Sequence, residues 1–196
     1  MTKNNFNIIT IGLIVLLLIN PISKYMVSKN GKYINDYKLP DILHYDNFNI
    51  KSVSFFSEIM ILSLIFFFIY NISVENIPQT DVILFIKYLT ILVLIKTVLM
   101  NVTILPDSSQ KCSYNDNIFK MIFLGGCNDL IYSLHMTIVL LILHFLKKNK
   151  IITNKYATIY SVLQAFLIIF SHNHYTLDVL LAFIITPYVI NEKYYI

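Results

Sequence analysis

Six long apolar runs dominate this chain and leave little room for another architecture. They are Phe6–Ile22, Phe55–Ile72, Val82–Leu105, Leu130–Leu146, Ile151–Phe170 and Leu177–Ile190. Each approaches the length that crosses a ~30 Å hydrocarbon core, the first and last being marginal. In lipid a helix satisfies its own backbone hydrogen bonds, so apolar runs of this length read as helices. Composition agrees: 57% of residues are hydrophobic and 13% charged. A soluble domain carries about twice that charged fraction. The expected fold is an all-α integral membrane protein with about six transmembrane helices and no separate soluble domain. Phe6–Ile22 also suits the apolar core of a signal peptide after Lys3, but Asn20-Pro21-Ile22-Ser23 makes a poor cleavage site, so a retained helix is expected.

Every basic residue is a lysine, and the formal charge is +4. The lysines scatter among loops, which does not make a nucleic-acid surface. Their densest cluster is Lys147, Lys148, Lys150 and Lys155, between the fourth and fifth runs. By the positive-inside rule that loop is cytoplasmic. Six crossings then put both termini in the cytoplasm, and the first, third and fifth loops on the lumenal or exoplasmic side. The five lysines of the first loop, Ser23–Lys51, pull the other way. The loop-four cluster flanks two helices directly and carries the assignment.

This sidedness gathers the polar clusters on one face. Leu39-Pro40-Asp41 lies in the first loop, and Leu105-Pro106-Asp107 begins the third. Cys127-Asn128-Asp129 and Ser133-Leu134-His135 end the third loop and enter the fourth helix. Ser171-His172-Asn173-His174 forms the fifth loop.

His174 and Asp178 stand four residues apart, on one face of a helix. An imidazole oriented by a carboxylate gains nucleophilicity, as in a catalytic triad. His135 supplies a second imidazole, so the pair can divide the roles of nucleophile and general acid–base. The plain alternative is that interfacial histidines sit at a wet, polar edge and do no chemistry. His144 follows His135 by nine residues, half-way round the helix and ~13 Å along it, so it belongs outside the site. His172 and His174 form a His-x-His pair, but no third ligand set accompanies them, and no metal or other cofactor is expected. Lys96, set within the third run, needs a partner, a wet cavity or a snorkelling route; a positive charge there suits a phosphate. Cys112 and Cys127 flank the third loop and can form a disulfide in an oxidising compartment.

At these residues the chain resembles the sphingomyelin synthase branch of the lipid phosphate phosphatase (PAP2) superfamily. Leu39-Pro40-Asp41-Ile42-Leu43-His44 resembles the family's Leu-Pro-Asp motif. Lys96 through Thr103-Ile104-Leu105-Pro106 resembles a stretch where the family has an arginine followed by Thr-x-Leu-Pro. Cys127-Asn128-Asp129 through Ser133-Leu134-His135 resembles Cys-Gly-Asp-x-x-x-Ser-Gly-His. Ser171-His172-Asn173-His174-Tyr175-Thr176-Leu177-Asp178-Val179, running on to Ala182 and Thr186, matches most closely. The order of the four segments is the family's.

The resemblance implies a PAP2-like helical bundle and a head-group transferase. Its donor is a membrane glycerophospholipid and its acceptor ceramide, or diacylglycerol in the reverse direction. His174 would attack phosphorus, Asp178 would support it, and His135 would serve as acid and base. Lys96, Asp129, Ser133, Tyr175 and Asp41 would contact substrate. On this reading residues 1–22 form the first transmembrane helix, and 23–51 the outer loop with the Leu-Pro-Asp motif. Residues 52–190 form the catalytic membrane core, and 191–196 a cytoplasmic tail. Three departures stand out. Lys96 replaces the arginine and loses its bidentate fork. Leu134 replaces a glycine, which would strain the chain if that position needs positive φ. Met136 replaces a threonine. Two other readings remain open: a lipid phosphatase or phospholipase C-like hydrolase with water as acceptor, and a degenerate, non-catalytic lipid-binding membrane protein.

Overall fold

The computed structural model describes residues 3–31, 41, 43, 50–106 and 131–191. Asp129, Cys112 and Cys127 lie outside the described residues, as do Leu39, Pro40, His44, Asp107 and the 192–196 tail. Among the described residues all regular structure is helical. The chain opens with α1 (Lys3–Ile14), a π turn (Val15–Ile19) and α2 (Asn20–Gly31), which run on without a break. Then come α3 (Ile50–Ser73), α4 (Gln79–Val102), α5 (Leu134–Lys148), α6 (Asn154–Phe170) and α7 (Thr176–Ile190).

The π turn has a local cause. Pro21 has no N–H, and its ring crowds the carbonyl one turn back. The turn before it widens, and the Asn20 N–H reaches back five residues to the Val15 carbonyl. The helix therefore survives its proline and continues to Gly31, nine residues past the expected end at Ile22. Gly12 lets this rod approach α4 closely: a Cβ there would stand 2.8 Å from Thr90 Oγ1.

Among the described residues, three helices are long and apolar enough to cross a membrane: Asn7–Val27, Ser52–Ser73 and Gln79–Val102. The remaining three helices are shorter than the six-span expectation required. α5, α6 and α7 have 15, 17 and 15 residues, against the ~20 of a straight crossing. Polar caps set their starts. Ser133 accepts from the Met136 N–H and begins α5 inside the apolar run. Thr153 accepts from the Tyr156 N–H and begins α6 two residues after Ile151. Tyr175 and Asp178 begin α7.

α5 is the buried centre, packed by α3, α4, α6 and α7. Met136, Val139, Leu141, Phe145 and Leu146 are wholly buried. Phe145 meets Phe85 of α4 edge-on, with ring centroids 5.8 Å apart. The outer helices show the reverse pattern. Leu17, Phe66 and Ile184 are about two-thirds exposed, as expected where lipid is the solvent.

Tight reversals join the helices into an antiparallel zigzag. Glu75 and Lys150 each adopt positive φ just past a helix end, at 60° and 58°. The following N–H groups return to the last turn, Asn76 to the Asn71 carbonyl and Ile151 to the Leu146 carbonyl. The exit of α4, the entries of α5 and α7, and the end of α6 consequently share one end of the bundle. Asp41 joins them there.

Candidate active site

His135 is the second residue of α5, and His174 lies just before α7. Their ring centroids are 5.9 Å apart and their planes cross at 69°. His135 is exposed, whereas His174 is buried. Asp178 is buried in the first turn of α7, with its Oδ2 3.6 Å from His174 Nδ1. That is ion-pair range, longer than a hydrogen bond. His174 stands outside the helix, before the Tyr175 cap, so the two side chains approach across the helix start and not along one helix face as the spacing implied.

Asp178 is a junction as well. Its Oδ2 accepts the Tyr175 N–H at 3.1 Å, which caps α7. Its carbonyl accepts the Ser133 N–H at 3.0 Å. That bond ties the entry of α5 to the entry of α7, fixing the two histidines through the backbone. The carboxylate also complements the positive end of the α7 dipole.

Asp41 reaches the same helix end from the other direction. Its two carboxylate oxygens accept from the Thr176 N–H and the Thr176 hydroxyl, both at 2.6 Å. Oδ1 also accepts the Leu43 N–H at 3.0 Å, a local turn that holds the carboxylate in place. Tyr175 is buried, and its hydroxyl donates to the Pro106 carbonyl at 3.2 Å. Four separate segments are therefore stitched together around α7: Asp41, Pro106, Ser133 and 174–178.

Of the residues expected in the site, His135, His174 and Asp178 come together directly. Asp41, Ser133 and Tyr175 surround them as helix caps and tethers. The Ser133 hydroxyl accepts the Met136 N–H at 3.2 Å in a fully buried setting. Lys96 is almost wholly buried, and its ammonium donates to the Tyr132 carbonyl at 3.0 Å. It also lies 5.9 Å from the centroid of the Tyr132 ring. Lys96 thus supports the turn that delivers Ser133-Leu134-His135. Asp129 lies outside the described residues.

The strained residue of this turn is Tyr132. Its φ is +33°, a region costly for a bulky side chain. The ring is fully buried, and its hydroxyl donates to the Leu92 carbonyl. Leu134 instead occupies the first helical position of α5, so the leucine carries no left-handed strain. Met136 is packed into the core. His172 also has positive φ, 56°, at the reversal after α6. His144 lies toward the opposite end of α5, as its spacing from His135 requires.

Thr176 and Tyr132 matter to this geometry and were not singled out from sequence. Thr176 has a signal in hindsight, since a threonine entering an apolar helix is a common capping element. Nothing in the sequence marks Tyr132 as left-handed.

The fold and site define a helical membrane protein with a carboxylate-backed histidine pair at one end of its bundle. The family model described as PAP2 superfamily C-terminal matches residues 126–195. That stretch covers about a third of the chain and contains His135, His174 and Asp178. The match supports the PAP2 superfamily, and with it phosphatase- or phosphotransferase-type lipid chemistry. A search of curated proteins finds no match to this chain.

Proposed function

We propose that this protein is a membrane phospholipid head-group transferase. It moves phosphocholine or phosphoethanolamine from a glycerophospholipid to ceramide and releases diacylglycerol. The observation that carries the reading is the His135–His174 approach with Asp178 behind His174. The acceptor rests on the resemblance of the four motif segments to sphingomyelin synthases.

The chemistry needs little beyond positioning and charge. Asp178 orients His174 through Nδ1, which leaves Nε2 to attack phosphorus. The P–N bond forms as the bond from phosphorus to the diacylglycerol oxygen breaks. Protonated His135 gives its proton to that oxygen, releasing diacylglycerol. His135, now neutral, takes the proton of the ceramide primary hydroxyl. The resulting oxygen attacks phosphorus, the P–N bond breaks, and both histidines return to their starting states. Lys96 and Ser133 hold the Tyr132–His135 turn, and Asp41 and Tyr175 hold the start of α7. In this scheme the site faces the lumenal or exoplasmic side, with the Lys147–Lys155 end in the cytoplasm.

A water acceptor is the second reading. His135 is exposed, so water reaches the same base that would activate ceramide. Membranes containing the protein, incubated with fluorescent ceramide and phosphatidylcholine, separate the two. Transfer gives a fluorescent phosphosphingolipid that depends on His174. Ceramide-independent release of phosphocholine selects hydrolysis. Equal phosphosphingolipid from wild type and His174→Ala would sink the proposal.

A further inference from the structure

At the end of the bundle remote from His135 and His174, a cavity of about 710 Å³ opens among the end of α5, the start of α6 and the end of α7. Its walls include Leu140, Leu143 and Ile190, and its rim carries His144, Lys147 and Lys148. Thr186 lines the same cavity. Its side chain is wholly buried, and among the described residues Oγ1 has no hydrogen-bond partner. A buried hydroxyl in that state calls for a ligand that accepts from it. Pro187 follows directly and withholds an N–H from the α7 ladder.

We propose that this cavity binds an anionic phospholipid, with its phosphodiester between Thr186 Oγ1 and the basic rim and its acyl chains along the apolar wall. Two features favour a lipid over free phosphate. The basic rim adjoins leucine and isoleucine walls, which match a molecule that is charged at one end and apolar at the other. The surrounding sequence, Lys147 to Lys155, is also the densest basic stretch of the chain, and such stretches attract anionic lipid surfaces. Charge favours an anionic over a zwitterionic head group. Asp81, the carboxylate beside the rim, is already bridged by the Lys148 ammonium and the Asn149 amide, both at 2.9 Å. It is therefore committed and not offered to a choline or ethanolamine cation. Lys147 supplies the remaining charge, with His144, which also acts on Asp81, beside it. The site is separate from the histidine pair and does not depend on the proposed reaction.

The test uses the full chain in detergent, with thermal unfolding and native mass spectrometry as readouts. The probes are dioleoyl phosphatidylglycerol, dioleoyl phosphatidylcholine and inorganic phosphate. Phosphatidylglycerol should raise Tm and remain bound, and inorganic phosphate should do neither; phosphatidylcholine, the donor proposed for the histidine site, should bind equally well to wild type and to His144→Ala/Lys147→Ala. The His144→Ala/Lys147→Ala double variant should bind phosphatidylglycerol at least tenfold more weakly. Thr186→Val keeps the shape and removes the hydroxyl. Without lipid it should be as stable as wild type or more so, and with phosphatidylglycerol it should lose part of the Tm gain. His135→Ala should keep the whole gain, which separates this cavity from the histidine site. The proposal is overturned if inorganic phosphate matches phosphatidylglycerol, or if the double variant weakens phosphatidylcholine as much as phosphatidylglycerol. It is also overturned if both the double variant and Thr186→Val keep wild-type binding, or if His135→Ala abolishes it.

Discussion

The two ends of α7 meet the rest of the bundle in different ways. At its first turn the Tyr175 and Thr176 N–H groups are met by carboxylates, from Asp178 and Asp41. The Tyr175 hydroxyl is held by Pro106, and the Asp178 carbonyl by the Ser133 N–H. At its last turns Pro187 interrupts the ladder, and the Thr186 hydroxyl has no hydrogen-bond partner among the described residues. The first end is tethered to Asp41, Pro106 and Ser133 and holds His174 against His135. The other leaves polar capacity facing a cavity. Catalysis by positioning needs the first kind of end, and a replaceable lipid ligand suits the second.

Four substitutions sharpen or break that contrast. His174→Ala removes the proposed nucleophile and should cut phosphosphingolipid formation roughly 10,000-fold or more, read as product from fluorescent ceramide, with Tm little changed. His135→Ala removes only acid–base help, so initial rates in the same assay should fall about 100- to 10,000-fold. A fall in His135→Ala with no fall in His174→Ala would reverse the assigned roles.

Asp178→Asn keeps the shape and the cap but removes the charge beside His174 Nδ1. Turnover should drop on the order of 100-fold, with Tm shifting far less than activity. If Tm and turnover fall together, Asp178 is mainly a helix cap. Asp41→Ala should be the mildest of the four. It removes the acceptor of the Thr176 bonds, costing about 1–2 kcal/mol of stability, measurable as a lower Tm in detergent. Its loss of rate should be smaller than that of Asp178→Asn.

The sequence was most legible where a pattern is local. Apolar runs marked each of the described helices, and four-residue spacing brought His174 near Asp178. It was least legible where the chain makes distant contacts or turns on one residue. Nothing local says that Asp41 caps Thr176, 135 residues away. Asp41 read as a substrate contact from its motif, and the structure adds that it tethers Thr176. Apolar run and helix also differ in extent, because Ser133, Thr153 and Asp178 set helix starts by capping rather than by hydropathy. Leu134 drew attention as a replaced glycine, but the left-handed residue is Tyr132, two positions earlier. The π turn before Pro21 shows the same limit: the apolar run ends at Ile22, and the helix continues to Gly31.

The proposed mechanism requires a bond between phosphorus and His174. Purified protein incubated without ceramide, with phosphatidylcholine carrying radioactive phosphorus in its head group, tests this directly after an alkaline quench. The account predicts an acid-labile label on wild type, none on His174→Ala, and transfer of the label to phosphosphingolipid when ceramide is added. Label on His174→Ala equal to wild type, or ceramide-dependent product from a wild-type enzyme that never carries label, would contradict it.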